Sequence, residues 1–141
     1  MAQKRSTVAH LHNIPLFAEC SIPELRLIVG NSTERELRAG TTLMEQGQTG
    51  REAYVVLKGT ATIKRNGKKI ATAHAGSVIG ELSLLDRGPR TATVVADTDI
   101  TLLVVSEKAL RAAIDNIPAI SHKLLKGLAL RVRELDRAHY G

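Results

Sequence analysis

Residues 80 to 93 read Gly80-Glu81-Leu82-Ser83-Leu84-Leu85-Asp86-Arg87-Gly88-Pro89-Arg90-Thr91-Ala92-Thr93, with the acid Glu81 and the base Arg90 on either side of a Gly-Pro turn. These residue types suit a small sugar phosphate. A Gly-Glu pair opening a single helical turn offers backbone N–H groups to an anion, and Gly80 lets the ligand approach the backbone closely. Arg90 can grip phosphate oxygens with its planar fork. Ionised Glu81 only accepts hydrogen bonds, so it would repel phosphate yet suit a ribose hydroxyl. The two side chains divide such a ligand between them.

The elements that must position this run can be read around it. Ser21-Ile22-Pro23-Glu24 is a capping-box pattern with an early Pro, followed by Leu25, Leu27, Ile28 and Val29, and it predicts a short helix ending near Gly30. From Glu36 to Val105, short runs rich in Val, Ile, Thr and Leu alternate with turn signals at Gly40, Gly47, Gly59, Gly67 and Gly76. Asn66-Gly67, between Ile63-Lys64-Arg65 and Lys68-Lys69-Ile70, is the chemistry of a two-residue hairpin turn. About eight short strands in this span indicate a closed or double-sheet β architecture, such as a β jelly-roll barrel. Ser106 can cap a helix over Glu107 to Asp115, Asn116-Ile117-Pro118 breaks it, and a longer helix is expected from about Ala119 to Arg137. Its stripe of Ile120, Leu124, Leu128, Val132 and Leu135 must bury against something. The fold class is therefore mainly β, with a short N-terminal helix and two C-terminal helices. The β-roll is expected over about 35–105 and the C-terminal helices over about 107–137, in one domain spanning 1–141.

Within these elements the charge is spread out. The chain has 141 residues and a formal net charge of +6, with Lys and Arg often beside acids, as in Glu34-Arg35-Glu36. It reads as a solvated surface rather than a nucleic-acid footprint. Phe17, Tyr54 and Tyr140 are the only aromatic residues, too few for a base-stacking platform. No apolar run approaches the ~18 residues of a membrane span, and the basic N-terminus lacks the apolar segment of a signal peptide. A cytoplasmic protein is expected. Cys20 is the sole cysteine and reads as a small semi-buried thiol.

The segment VIGELSLLDRGPRTATVVA resembles the phosphate-binding cassette of the cyclic nucleotide-binding domain family. Upstream, AGTTLMEQGQTGREAYVVLKGTATI over 39–63 is similar to that family's first strands, with Gly40, Gly47, Gly50 and Gly59 and the strand Tyr54-Val55-Val56-Leu57. The resemblance implies that Arg90 pairs with a cyclic phosphate and that Glu81 takes the ribose 2′-hydroxyl. It also implies that Gly80, Leu82 and Ser83 contribute backbone groups. Thr91 could reach the phosphate or a guanine amino group, or serve simply as a strand residue. Ala61, Ile70 and Ala71 align with strand positions that wall the base, although barrel core explains them equally well. Arg131 and Leu135 fall where lid residues meet the base. The implied function is non-enzymatic binding of a 3′,5′-cyclic nucleotide, cyclic AMP favoured over cyclic GMP, with the C-terminal helix rearranging to act on a protein partner or a second copy. No helix-turn-helix pattern follows the long helix, so a stand-alone sensor without a DNA-binding module or membrane contact is expected.

The residues also bear on two other classes of function. A metal-dependent enzyme of cupin type would need convergent ligands, but His10, His12 and Glu19 precede the β region and His74, His122 and His139 are scattered. No catalytic cofactor or metal site is expected. A structural or dimerisation module that no longer binds would be expected to have lost Glu81 or Arg90, and this chain has both.

Overall fold

The computed structural model describes residues 2–13 and 17–140; the side chains of 2–6, 82, 85, 131 and 134–140 lie outside that description. The chain divides into two compact units, a β-rich one over Ser32–Ala109 and a helical one formed by Met1–Asn31 with Leu110–Gly141.

In the β unit, eight strands follow in chain order: β1 Thr33–Leu37, β2 Thr42–Met44, β3 Glu52–Lys58, β4 Ala61–Arg65, β5 Lys68–Ala73, β6 Val78–Ile79, β7 Thr93–Ala96 and β8 Ile100–Ser106. They form two four-stranded sheets, ordered β1-β8-β3-β6 and β2-β7-β4-β5, with every pairing antiparallel. This is the jelly-roll-like arrangement the turn spacing predicted. Its core is aliphatic, with Val56, Ala61, Val94 and Leu102 fully buried beside Tyr54 and Ile100. Alternation fixes the inner face: Ala61 pairs with Ala73 and Ala96, and Ile63 pairs with Ala71 and Val94. The Asn66-Gly67 turn has both central residues at positive φ, 53° and 78°, which twists the hairpin to match its strands. The β4–β5 register then slips by one residue, leaving Ile70 as the extra residue of a β-bulge.

Helix α1, Ala2–His12, was not anticipated from the sequence. It has few apolar residues; of these Val8 and Leu11 are buried. Helix α2, Ile22–Gly30, starts at the expected capping box: Ser21 N–H donates to Glu24 Oε1 at 2.7 Å and Glu24 N–H to Ser21 Oγ at 3.4 Å. A short helix α3, Glu81–Asp86, sits within the β unit. Helix α4, Glu107–Asn116, is capped by Ser106, whose Oγ accepts from Ala109 N–H at 3.0 Å. After Pro118, helix α5 runs over Ala119–Tyr140. The expected burial of its stripe holds only for its first half. Ile120 and Leu124 are buried, whereas Val132 is 58% exposed, and Leu125, off the stripe, is 65% exposed. Leu135 lies outside the described side chains.

Candidate phosphate site

Helix α3 begins at Gly80, whose φ of 79° is left-handed and strained for any residue with a side chain. No side-chain hydrogen bond caps this end. The hydroxyl of Ser83 is spent internally, donating to the Gly88 carbonyl at 3.1 Å, while Asp86 Oδ1 accepts from Gly88 N–H at 2.7 Å. These bonds shape the turn that leads into Pro89 and Arg90. Glu81 and Ser83 are both buried. Arg87, in a left-handed conformation with φ 56°, donates from Nε and Nη2 on one guanidinium edge to the Glu107 carboxylate, its Nε 2.8 Å from Oε2.

Arg90 is held through its backbone, through Nη1 and through the face of its guanidinium. Its backbone is locked to the β2–β3 loop, with Arg90 N–H donating to the Gln48 carbonyl at 2.8 Å and Gly47 N–H donating to the Arg90 carbonyl at 2.9 Å. Its Nη1 donates to the Glu52 carbonyl at 2.8 Å and to the Gly80 carbonyl at 3.3 Å. The guanidinium lies 5.6 Å from the centre of the Tyr54 ring, within cation–π range. Tyr54 in turn donates its hydroxyl to Glu52 Oε1 at 2.9 Å, and Arg35 approaches the same carboxylate oxygen at 3.7 Å. Burial, the hydrogen bond to Glu52 and that carboxylate's charge raise the Tyr54 hydroxyl above its ordinary pKa, so it stays a neutral donor. Gly50 and Gly80 leave room for this packing, since a Cβ on either would clash with the Arg90 guanidinium where it rests.

The result is a cation 7% exposed with neutral partners only. Among the described residues no carboxylate lies within ion-pair distance of Arg90, and no hydrogen bond from its Nε or Nη2 is made. A buried charge normally requires a counter-charge. Arg90 has none among the described residues.

The structure brings Gly80, Glu81, Ser83 and Arg90 to one place, with the backbone of Leu82 in the same turn. Thr91 is exposed beside them, its carbonyl accepting from Arg65 Nε at 3.0 Å. Of the expected base-wall residues, Ala61 is fully buried core and presents no surface, while Ile70 is 49% exposed and Ala71 is exposed opposite Ile63. The side chains of Arg131 and Leu135 lie outside the described residues. Gly50, Glu52 and Tyr54, which shape the Arg90 site, were read from the sequence only as strand and turn residues. Among the described residues no three His, Cys, Asp and Glu side chains converge as a metal site would require.

The family model for the cyclic nucleotide-binding domain matches residues 34–116, from β1 to the end of α4. This chain belongs to the cyclic nucleotide-binding domain family. It is 32% identical over 127 residues to the cyclic AMP receptor protein of Thermus thermophilus, covering 86% of this chain and 59% of that protein. It is 30% identical over 112 residues to a cAMP-dependent protein kinase regulatory subunit of Debaryomyces hansenii, covering 78% of this chain. The chain thus spans 59% of the first of these relatives and 25% of the second. Among solved structures, the N-terminal domain of a transcriptional regulator from Streptomyces coelicolor superposes with a TM-score of 0.81 at 33% identity, over 92% of this chain and 96% of that one. Among the described residues no helix is long and apolar enough to cross a membrane.

Proposed function

We propose that this cyclic nucleotide-binding domain is a non-enzymatic sensor that binds a 3′,5′-cyclic nucleotide, cyclic AMP ahead of cyclic GMP, and responds through its C-terminal helix. The observation that carries the reading is Arg90, buried with no counter-ion among the described residues. A cyclic phosphodiester brings one negative charge and acceptor oxygens to donors that the protein leaves open. Gly80, Leu82 and Ser83 would add backbone N–H donors at the start of α3. Glu81 would accept from the ribose 2′-hydroxyl, and Ile70 and Ala71 would edge the base. Thr91 Oγ1, exposed beside the phosphate grip, is where the choice of purine would be felt. The name of the Thermus relative supports cyclic AMP.

The response is assigned to α5 because this helix exposes Leu125, Leu130 and Val132, apolar surface that a second packing pose could cover. Arg131 and Leu135 lie on the same helix and would meet the base in that pose. Ligand shifts a helix between poses only if it binds one of them more tightly. The helix would then act on a protein partner or on a second copy of the chain.

Calorimetric titration with cyclic AMP and cyclic GMP tests the binding, and amide hydrogen exchange over 119–137 tests the response. Saturable binding with tighter cyclic AMP, and slowed exchange in both α5 and 80–93, are expected. No binding of either nucleotide would refute the sensor reading. Protection confined to 80–93 would refute the helix response and leave a passive nucleotide binder.

A further inference from the structure

The β4–β5 hairpin carries Lys64, Arg65, Lys68 and Lys69 within six residues, and all four are exposed. The register sets Lys64 directly opposite Lys69 and Arg65 directly opposite Lys68. Like charges facing each other across a ladder destabilise it. Among the described residues none of the three lysines makes an ion pair, and Glu45, the acid next to Gln46, pairs with none of them. Charged edge strands discourage self-pairing, and β5 is an edge. That explanation covers Lys68 and Lys69 but not Lys64 and Arg65, which lie on the inner strand β4.

This cationic tip is fastened beside the phosphate site. Arg65 Nε holds the carbonyl of Thr91, the residue after Arg90. The Gln46 side chain brackets Asn66 with two hydrogen bonds of 2.9 and 2.8 Å, and Gly47, next to Gln46, holds the Arg90 carbonyl. Alternation places Arg65 and Lys68 on the face that begins with Ala61 and Ile63, the inner face of the roll.

We infer that Lys64, Lys68 and Lys69 form an electrostatic collector that speeds the arrival of the phosphate anion at Arg90 without holding it once bound. The inference rests on the nucleotide-binding reading above. A charged rim beside a site raises association rates and loses its effect as salt shortens the range of the field. Dissociation is set by contacts at Arg90 and Glu81, which the lysines do not make.

The test is stopped-flow association and dissociation of a fluorescent cyclic AMP analogue with three proteins: wild type, the triple Lys64→Gln/Lys68→Gln/Lys69→Gln variant and the corresponding triple Glu variant. Arg65 is kept because it fastens the hairpin. At low salt the association rate should fall about threefold for the Gln variant and about tenfold for the Glu variant, at the lower end of the range for such steering. At ~1 M salt, where the screening length is about 3 Å, the three rates should coincide. Dissociation rates should stay equal throughout. Thermal unfolding of the Gln variant should show stability equal to wild type or higher, because the opposed like charges are gone. Equal association rates at low salt would overturn the inference, as would a loss that sits in the dissociation rate or persists at high salt. Wild type that fails to bind at any salt would instead refute the underlying nucleotide reading.

Discussion

Glu24 in the helical unit and Arg90 in the β unit are both charged side chains taken out of water, 4% and 7% exposed. Glu24 is matched completely. It accepts from Lys123 Nζ at 2.5 Å and from Ser21 N–H at 2.7 Å, joining the start of α2 to α5. Burial pushes its carboxyl upward, but the Lys123 ammonium and the Ser21 donors outweigh this and hold it below the usual glutamate range. Arg90 receives two carbonyls and a ring face, none of them charged. A buried ion matched inside the protein serves the fold, whereas Arg90, cradled by glycines, has no charged partner among the described residues.

The comparison predicts different failures at the two sites. The largest is expected at the cassette: Arg90→Ala should weaken cyclic AMP binding by about a hundredfold or more, since truncating one side of a buried charged pair costs 2–5 kcal/mol. Calorimetry on a folded variant reads this directly. Lys123→Met should instead act on stability. It strands the Glu24 carboxylate and should cost about 2 kcal/mol, less than the ~3–5 kcal/mol of a wholly buried pair because Lys123 is partly exposed. Urea unfolding measures it. The same pair predicts a pH dependence. With the folded pKa of Glu24 below its unfolded value, the unfolded chain binds more protons in the window beneath about 4.3. Its stabilisation should be complete above that value and should drain away as pH falls through the folded pKa; Lys123→Met should flatten this acid limb.

Gly50→Ala sharpens the cassette side. The added Cβ falls where the guanidinium rests, so Arg90 must leave its cradle, and affinity should drop at least about tenfold, ~1.4 kcal/mol. In an Arg90→Ala background the same change should cost little, and additive losses would show that Gly50 acts elsewhere. The smallest effect is at Thr91. If its exposed hydroxyl bonds a guanine amino group, Thr91→Ala should cost cyclic GMP about 1 kcal/mol and spare cyclic AMP. Titrating both ligands against both proteins decides it.

The parts of this molecule that were legible in the sequence are those whose causes are local. The capping box at Ser21, the Asn66-Gly67 turn, the break at Pro118 and the Gly80-Glu81 helix start each depend on residues within a few positions, and each is where the sequence put it. The missing parts depend on distant partners. Glu52 meets Arg90 across 38 residues, and Lys123 meets Glu24 across 99. Gly50 was visible as one of several turn glycines, but only the folded Arg90 shows why it has no side chain. The Ile70 bulge follows from a register slip that alternation does not encode. Helix α1 has too few apolar residues for its period to show. The spread-out reading of the charge also failed at the hairpin tip, where a two-residue turn folds two short basic runs onto each other.

On the reading proposed above, Arg90 is held for a ligand rather than for the fold. Thermal unfolding of wild type and Arg90→Leu, each with and without saturating cyclic AMP, tests this most directly because apo stability and ligand response are read on the same samples. At a ligand concentration about a hundred times Kd, wild type should gain about 2.7 kcal/mol and unfold several degrees higher. Arg90→Leu should unfold without ligand at the wild-type temperature or above it, since an unmatched buried charge has been replaced by an apolar side chain, and cyclic AMP should then stabilise it by no more than about 0.4 kcal/mol. A variant that unfolds well below wild type yet keeps its full shift with cyclic AMP would contradict the claim and make Arg90 a structural residue.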